Sequence, residues 1–171
     1  TVLDALRPLL ESGDIEKTGQ NLKYDYTVLR RQGIETRGIG FDTMVASYVL
    51  DPKRRAHNLD DLAADHLGHT TIKYENLSGK GKKQKPFAEV PLEDALRYAG
   101  EDADVTLLLR EKLEPELGDG PLRKLFDDIE MPLVPVLARM EMTGVKVDTG
   151  KLMDLSRELE GEPELIVICE P

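Results

Sequence analysis

Apolar residues recur at three- and four-residue spacing through most of this chain, the signature of helices burying one face. Val2, Leu3, Leu6, Leu9 and Leu10 mark a first helix over residues 2–10, bent or shortened by Pro8. An extended piece at 15–18 leads to a turn at Gly19, and Asn21 then stands where it would cap a helix carrying Leu22, Tyr26 and Leu29 and ending near Gly33. A second short strand is expected at 38–41. Asp42 follows as the cap of a helix with Met44, Val45, Tyr48 and Val49, stopped by Asp51-Pro52. Asn58 and Gly68 bracket a further helix whose apolar face is Leu59, Leu62, Ala63 and Leu67.

Residues 69–90 show little periodicity and read as a long loop, a length that in compact domains goes with function or disorder. Pro91 opens a long helix to about residue 117. Beyond the turn at 118–121, Leu122, Leu125, Phe126, Ile129, Leu133, Val136, Leu137 and Met140 are helical again, with a bend expected at Pro132 and Pro135. A short strand at 144–147 and a last helix from Thr149 to about Leu159, capped by Asp148, complete the pattern. Gly161-Glu162-Pro163 would break that helix, and 165–169 reads as an apolar strand. Strands at 15–18 and 38–41 are isolated and require a sheet to pair with.

Two aspartates fall on apolar stripes. On the long helix, Ala95, Tyr98, Asp102, Val105, Leu109 and Leu113 share one face, whereas Glu93, Asp94 and Asp104 point elsewhere. On the helix after Asn21, Asp25 falls between Leu22, Val28 and Leu29, on the expected core side. An inward carboxylate requires a donor, a cation or a metal, and two of them on separate helices form a candidate site for a hard divalent ion such as Mg²⁺. Helix capping or pairing with a lysine or arginine is the competing explanation for each alone.

Composition narrows the classes. The net charge of −10, from 33 acidic and 23 basic residues, argues against binding nucleic acid through a global basic field, but not against a nuclease whose carboxylates hold cations. Basic islands at 53–55 and 79–85 read as solvated loops. No apolar run approaches the roughly 20 residues of a membrane span. A single cysteine, Cys169, excludes an internal disulfide and fits a reducing cytoplasm, and three scattered histidines make no metal site.

Here the residues carry a resemblance. Gln20-Asn21-Leu22-Lys23-Tyr24-Asp25 resembles the second exonuclease motif of the 3′–5′ proofreading domain in bacterial DNA polymerase I (family A), and Tyr98-Ala99-Gly100-Glu101-Asp102-Ala103-Asp104-Val105-Thr106 resembles its tyrosine-containing third motif. Phe41-Asp42-Thr43-Met44, His57-Asn58-Leu59-Asp60-Asp61-Leu62 and Gly79-Lys80-Gly81-Lys82 match in order between them. Ile129-Glu130-Met131-Pro132-Leu133-Val134-Pro135 and Gly144-Val145-Lys146-Val147-Asp148 resemble the opening of the polymerase domain, leading into its thumb.

The resemblance implies an α/β fold of the ribonuclease H-like 3′–5′ exonuclease type, over residues 1–118, lacking its first strands. A helical start of the polymerase domain (119–160) and an unmatched tail (161–171) would follow. It implies two divalent ions (Mg²⁺ or Mn²⁺) acting on the single-stranded 3′ end of DNA, with Asp102 a direct ligand, Asp25 supporting the second ion and Tyr98 orienting the attacking water. Asn21 and Tyr24 would contact the DNA end, and Tyr74 would meet a base. The family's Asp-x-Glu motif, which supplies two more carboxylates, is absent. Together with Thr1 standing where a methionine would open a gene, this leads to the expectation of an inactive fragment, with the rest of a polymerase chain as partner and a bacterial, nucleoid-associated cytoplasmic location. A carboxylate-free structural platform and an RNA-trimming exonuclease are the alternatives. Retained carboxylates count against the first, and the polymerase-like segment after residue 121 against the second.

Overall fold

The structure, a computed structural model, describes residues 2–81 and 84–160; the expected break at 161–163 and strand at 165–169 lie outside the described residues. The elements run α1 (Val2–Glu11), β1 (Lys17–Gly19), α2 (Leu22–Arg31), β2 (Ile39–Asp42), α3 (Thr43–Leu50), α4 (Leu59–Leu67), α5 (Tyr74–Ser78), α6 (Leu92–Leu117), α7 (Pro121–Leu125), α8 (Met131–Thr143) and α9 (Thr149–Glu160). The two strands expected to be isolated pair with each other. They form a parallel sheet with Lys17 opposite Ile39, Thr18 opposite Phe41 and Gly19 opposite Asp42, an irregularity falling between Lys17 and Thr18. Parallel pairing requires a crossover, and α2 supplies it.

The junction after β2 is held by one side chain. Asp42 is 1% exposed, and its carboxylate accepts hydrogen bonds from Asn21 N (3.0 Å) and Leu22 N (2.7 Å) at the start of α2 and from Met44 N (2.9 Å) and Val45 N (3.3 Å) at the start of α3. Helix N-termini present N–H groups with no partner inside the helix, so one buried acid satisfies donors of two helices at once. Burial pushes its carboxyl above the ordinary carboxylate range, while the four N–H bonds pull the other way. The cap expected from Asn21 is not made. Asn21 adopts the left-handed conformation (φ 61°) with no side-chain capping bond, because Asp42 already fills that role. Asn58 does cap α4, accepting from Asp61 N at 2.9 Å, and Gly68 ends it at φ 64°.

Two apolar clusters hold the elements. Leu22, Phe41, Ala46, Val49, Leu113, Leu117, Phe126, Met131 and Val134 join α2, β2, α3, the end of α6 and α8, with the Phe41 and Phe126 rings 5.0 Å apart. Leu62, Ala63, Val105 and Leu109 pack α4 on the middle of α6. The helix α6 thus spans both clusters, but its buried residues begin only at Val105.

Three expectations change. Residues 69–90 contain α5 and a 3₁₀ turn at Phe87–Glu89, each too short to show helical periodicity. No strand forms at 144–147: among the described residues nothing pairs with it, and Val145 is 90% exposed. The helix expected from Leu122 onward is interrupted by a π turn at Phe126–Glu130, where Met131 N–H reaches back to the Phe126 carbonyl. Pro132 has no N–H to continue the ordinary ladder.

Removing the double cap will be costly. Asp42→Ala should destabilise the fold by about 3 kcal/mol or more, because it strands several buried N–H groups. Asp42→Asn, which keeps one acceptor oxygen, should recover part of that loss. Urea unfolding of both variants measures it, and an Asp42→Ala midpoint equal to wild type would refute the shared-cap role.

Candidate functional site

Helix α6 projects Tyr98, Asp102, Thr106 and Arg110 at successive four-residue steps along one wall of a groove of roughly 680 Å³. The opposite side is built from Glu16, Thr18, Gly19 and Gln20 at β1 and from Leu22 and Asp25 on α2, with Leu59 and Asp60 of α4 closing an end. The shared cap on Asp42 fixes where α2 begins, and hence where Asp25 stands, one turn into that helix.

Asp25 and Asp102 therefore line one groove, although neither is sunk in the core as expected. Asp25 is exposed, because α2 buries Leu22 and Tyr26 and leaves Asp25 at the margin of that stripe. Asp102 is half-buried, because the apolar cover on α6 starts a turn later. Protein atoms crowding the Asp25 carboxyl strip it of part of its water and raise it above its ordinary value, its backbone bond opposing and the negative charge of Asp42 adding to the rise. Asp102 is likewise raised by burial, then by the charges of Glu101 and Asp60, with the Tyr98 hydroxyl opposing. Tyr98 is pushed up to about 12 by burial and by the Asp102 carboxylate beside it, so its phenol stays a neutral hydrogen-bond donor across the working pH range.

The groove's other charges are already paired. Arg110 ion-pairs with Glu16 and with Glu114 (2.9 Å), donates to Thr18 Oγ1 (2.6 Å) and lies 5.1 Å from the centre of the Phe41 ring. Gly40 makes room for this, since a Cβ there would fall 2.2 Å from Glu16 Cγ. Asp60 binds Thr71 and Lys73, which together outweigh burial and lower its carboxyl. Glu101 accepts from Ile72 N (2.6 Å) and meets His69 Nε2 (2.9 Å). Asp60 and Glu101 thereby pin residues 69–73 against α4 and α6, and this pinned segment delivers Tyr74 to the groove. The Tyr74 ring lies 6.2 Å from Tyr98, edge-on, and 5.9 Å from Phe87, nearly parallel.

Of the residues singled out from sequence, Asp25, Tyr98 and Asp102 share the groove and Tyr74 touches it through Tyr98, whereas Asn21 and Tyr24 stand outside its lining, Tyr24 68% exposed. Glu16, Asp60, Phe87, Glu101 and Arg110 were missed. Arg110 was legible two four-residue steps beyond Asp102 on the same face, and Glu101 sat inside the quoted motif. Phe87 had no pattern around it.

Oxygen donors of this kind suit Mg²⁺ or Mn²⁺. Their number falls short: among the described residues no group of three His, Cys, Asp or Glu side chains is close enough to hold an ion. Asp25 and Asp102 fit as part of a ligand set rather than as a whole one.

Raised carboxyls predict a pH effect. The folded chain holds these two protons more tightly than the unfolded chain, whose aspartates sit near 3.8, so stability is lost as pH rises from 3.8 through the raised values. Asp102→Asn should therefore raise the melting temperature by roughly 1–3 °C near pH 7, with the difference shrinking toward pH 4. Melting curves across that range check it, and a variant less stable at pH 7 than wild type would count against uncompensated charge in the groove.

Comparison with known proteins places this geometry in a family. A family model described as 3′–5′ exonuclease matches residues 1–118. DNA polymerase I of Pseudomonas aeruginosa is 50% identical over 161 residues, covering 92% of this chain and 18% of that protein. DNA polymerase I of Rhizobium leguminosarum is 48% identical over 157 residues, covering 92% and 15%. Among solved structures, the POL domain of Pol1 from M. smegmatis in complex with DNA primer-template and dNTP superposes with a TM-score of 0.73 at 26% identity, over 93% of this chain and 24% of that one. The chain spans less than a fifth of the length of these two curated relatives. With well over half of its length inside the family match and its α/β architecture shared, the chain belongs to the 3′–5′ exonuclease family and aligns along a segment of DNA polymerase I.

Proposed function

We propose that this chain is the 3′–5′ exonuclease portion of a bacterial DNA polymerase I, acting in the cytoplasm on the single-stranded 3′ end of DNA during replication and repair. Residues 1–118 form the nuclease portion, and residues 119–160 lead toward the polymerase. The observation that carries the reading is the shared groove: Asp25 of α2 and Tyr98 and Asp102 of α6 line it together, and both carboxylates lie in surroundings that disfavour their charge.

Asp102 and Asp25 would hold Mg²⁺ or Mn²⁺, with further ligands contributed from outside this pair. When bound, the ions lower the pKa of a water and stabilise charge on the scissile phosphate. Tyr98 keeps its proton at working pH and orients the water by a hydrogen bond, since its phenol is pushed up to about 12. Asp102, beside that hydroxyl, fixes the Tyr98 orientation. Tyr74, 39% exposed, offers a π-face to a terminal base, a contact that tolerates any base. Asn21 and Tyr24, on the surface where α2 begins, contact the strand. The net charge of −10 leaves phosphate binding to local contacts and bound cations.

The test is degradation of a 3′-labelled single strand in Mg²⁺ or Mn²⁺. Within the whole polymerase chain, Asp102→Ala should lower the rate by about 100- to 1,000-fold, and Asp25→Ala similarly, with polymerisation retained. The 171-residue chain by itself should leave the strand intact, since its described acids do not complete an ion site. A whole polymerase with no Asp102-dependent trimming would favour the structural-platform reading, and trimming by the chain alone would overturn the incompleteness.

A further inference from the structure

Phe87 belongs to neither apolar cluster, yet its ring is held in place. It lies 5.9 Å from the Tyr74 ring at 18°, an offset stack, and 6.2 Å from the Tyr98 ring at 58°. It thus touches Tyr98 of the groove and Tyr74 beside it while remaining 40% exposed itself. An apolar ring at the surface, with no core to join, gains little from burial; its contacts are with side chains that carry chemistry.

The mount beneath it is stiff. Phe87 opens the 3₁₀ turn Phe87–Glu89, with Pro86 fixed just before it (φ −55°) and Pro91 shortly after, at the start of α6. Glu89 N donates to the Pro86 carbonyl at 2.9 Å, and Val90 N to the Phe87 carbonyl at 3.0 Å. On the other side, Lys85 N donates to the Ser78 carbonyl at 2.6 Å, and Ser78 Oγ donates to the Tyr74 carbonyl at 3.1 Å. The Phe87 turn, the helix bearing Tyr74 and the helix bearing Tyr98 are therefore tied into one unit.

We infer that Phe87 is a positioning residue: it braces Tyr74 at the angle that presents a π-face to a base, and shields Tyr98 so that its hydroxyl stays directed at Asp102. This rests on the nuclease reading for its consequence, though not for its geometry. Without the ring, Tyr98 loses a wall against water and Tyr74 loses its stacking partner. The groups that act on the Tyr98 hydroxyl are Asp102, Asp60 and Tyr74, and of these only Tyr74 stacks on Phe87.

The full chain with ¹³Cζ-labelled tyrosine tests this, Tyr98→Phe assigning the signal. At pH 7, ¹³C relaxation of the Tyr98 side chain should report order in wild type and lose that order in Phe87→Ala. Phe87→Tyr should restore it, and Phe87→Leu, which fills volume without a ring, should restore it only in part and serves if the alanine variant does not fold. Binding of a single-stranded oligonucleotide should weaken about 3- to 10-fold in Phe87→Ala and recover in Phe87→Tyr. A Tyr98 side chain as ordered in folded Phe87→Ala or Phe87→Leu as in wild type overturns the inference, whatever the binding shows. Wild-type chain that ignores the oligonucleotide while Tyr98 loses its order in Phe87→Ala counts against the nuclease reading and leaves the bracing role upheld.

Discussion

The groove depends on one buried carboxylate. Asp42, at the end of β2, satisfies backbone donors at the starts of α2 and α3 together, so the strand and both helices meet at a fixed point. Asp25 is carried one turn further along α2, and its place opposite α6 follows from where α2 begins. The arrangement also explains why Asn21 can sit in a left-handed conformation that costs most residues: its own backbone N–H is bound by Asp42, and its side chain is released from capping.

The helix α6 changes character along its length. From Val105 onward it is a core helix, packing α4 on one stretch and the α2–α3–α8 cluster on the next. Before Val105 the same face runs out of cover, so Tyr98 and Asp102 occupy positions that look buried by periodicity but open onto the groove. The helix is thus anchored in the core at one end while Tyr98 and Asp102 stay open to the groove at the other. Asp60 and Glu101 act differently from Asp25 and Asp102, since both clamp residues 69–73, and this clamp sets Tyr74 beside Tyr98.

Much of the local structure was legible because its causes are local. Asp42 and Asn58 as caps, Gly68 as a stop, and the starts of α3, α4 and α9 all follow from side chains within a few residues of the backbone they bond. Where that locality failed, the readings failed. Asn21 had the right residue type for a cap, but an acid about twenty positions away took its donors. The segment 144–147 had strand-like residues and, among the described residues, no neighbour to pair with. The short helix α5 and the Phe87 turn are stabilised by the Lys85–Ser78 bond and the ring contacts, which no periodicity announces.

The same division governs the site. Asp25, Tyr98 and Asp102 were identifiable from their motifs and from helical spacing, since a 3.6-residue repeat dictates which side chains share a face. The depth of those faces was not, because exposure depends on what packs against the helix, and packing is set by residues distant in sequence. So the chain's order of residues determined its longer helices, the caps of α3, α4 and α9 and the family to which it belongs. Only the tertiary arrangement decided that Asp25 lines a groove with Asp102, that Arg110 is occupied by Glu16 and Glu114, and that Phe87 joins Tyr74 to Tyr98. Spacing along a helix is a property of the backbone, whereas burial and partnership are properties of the whole fold.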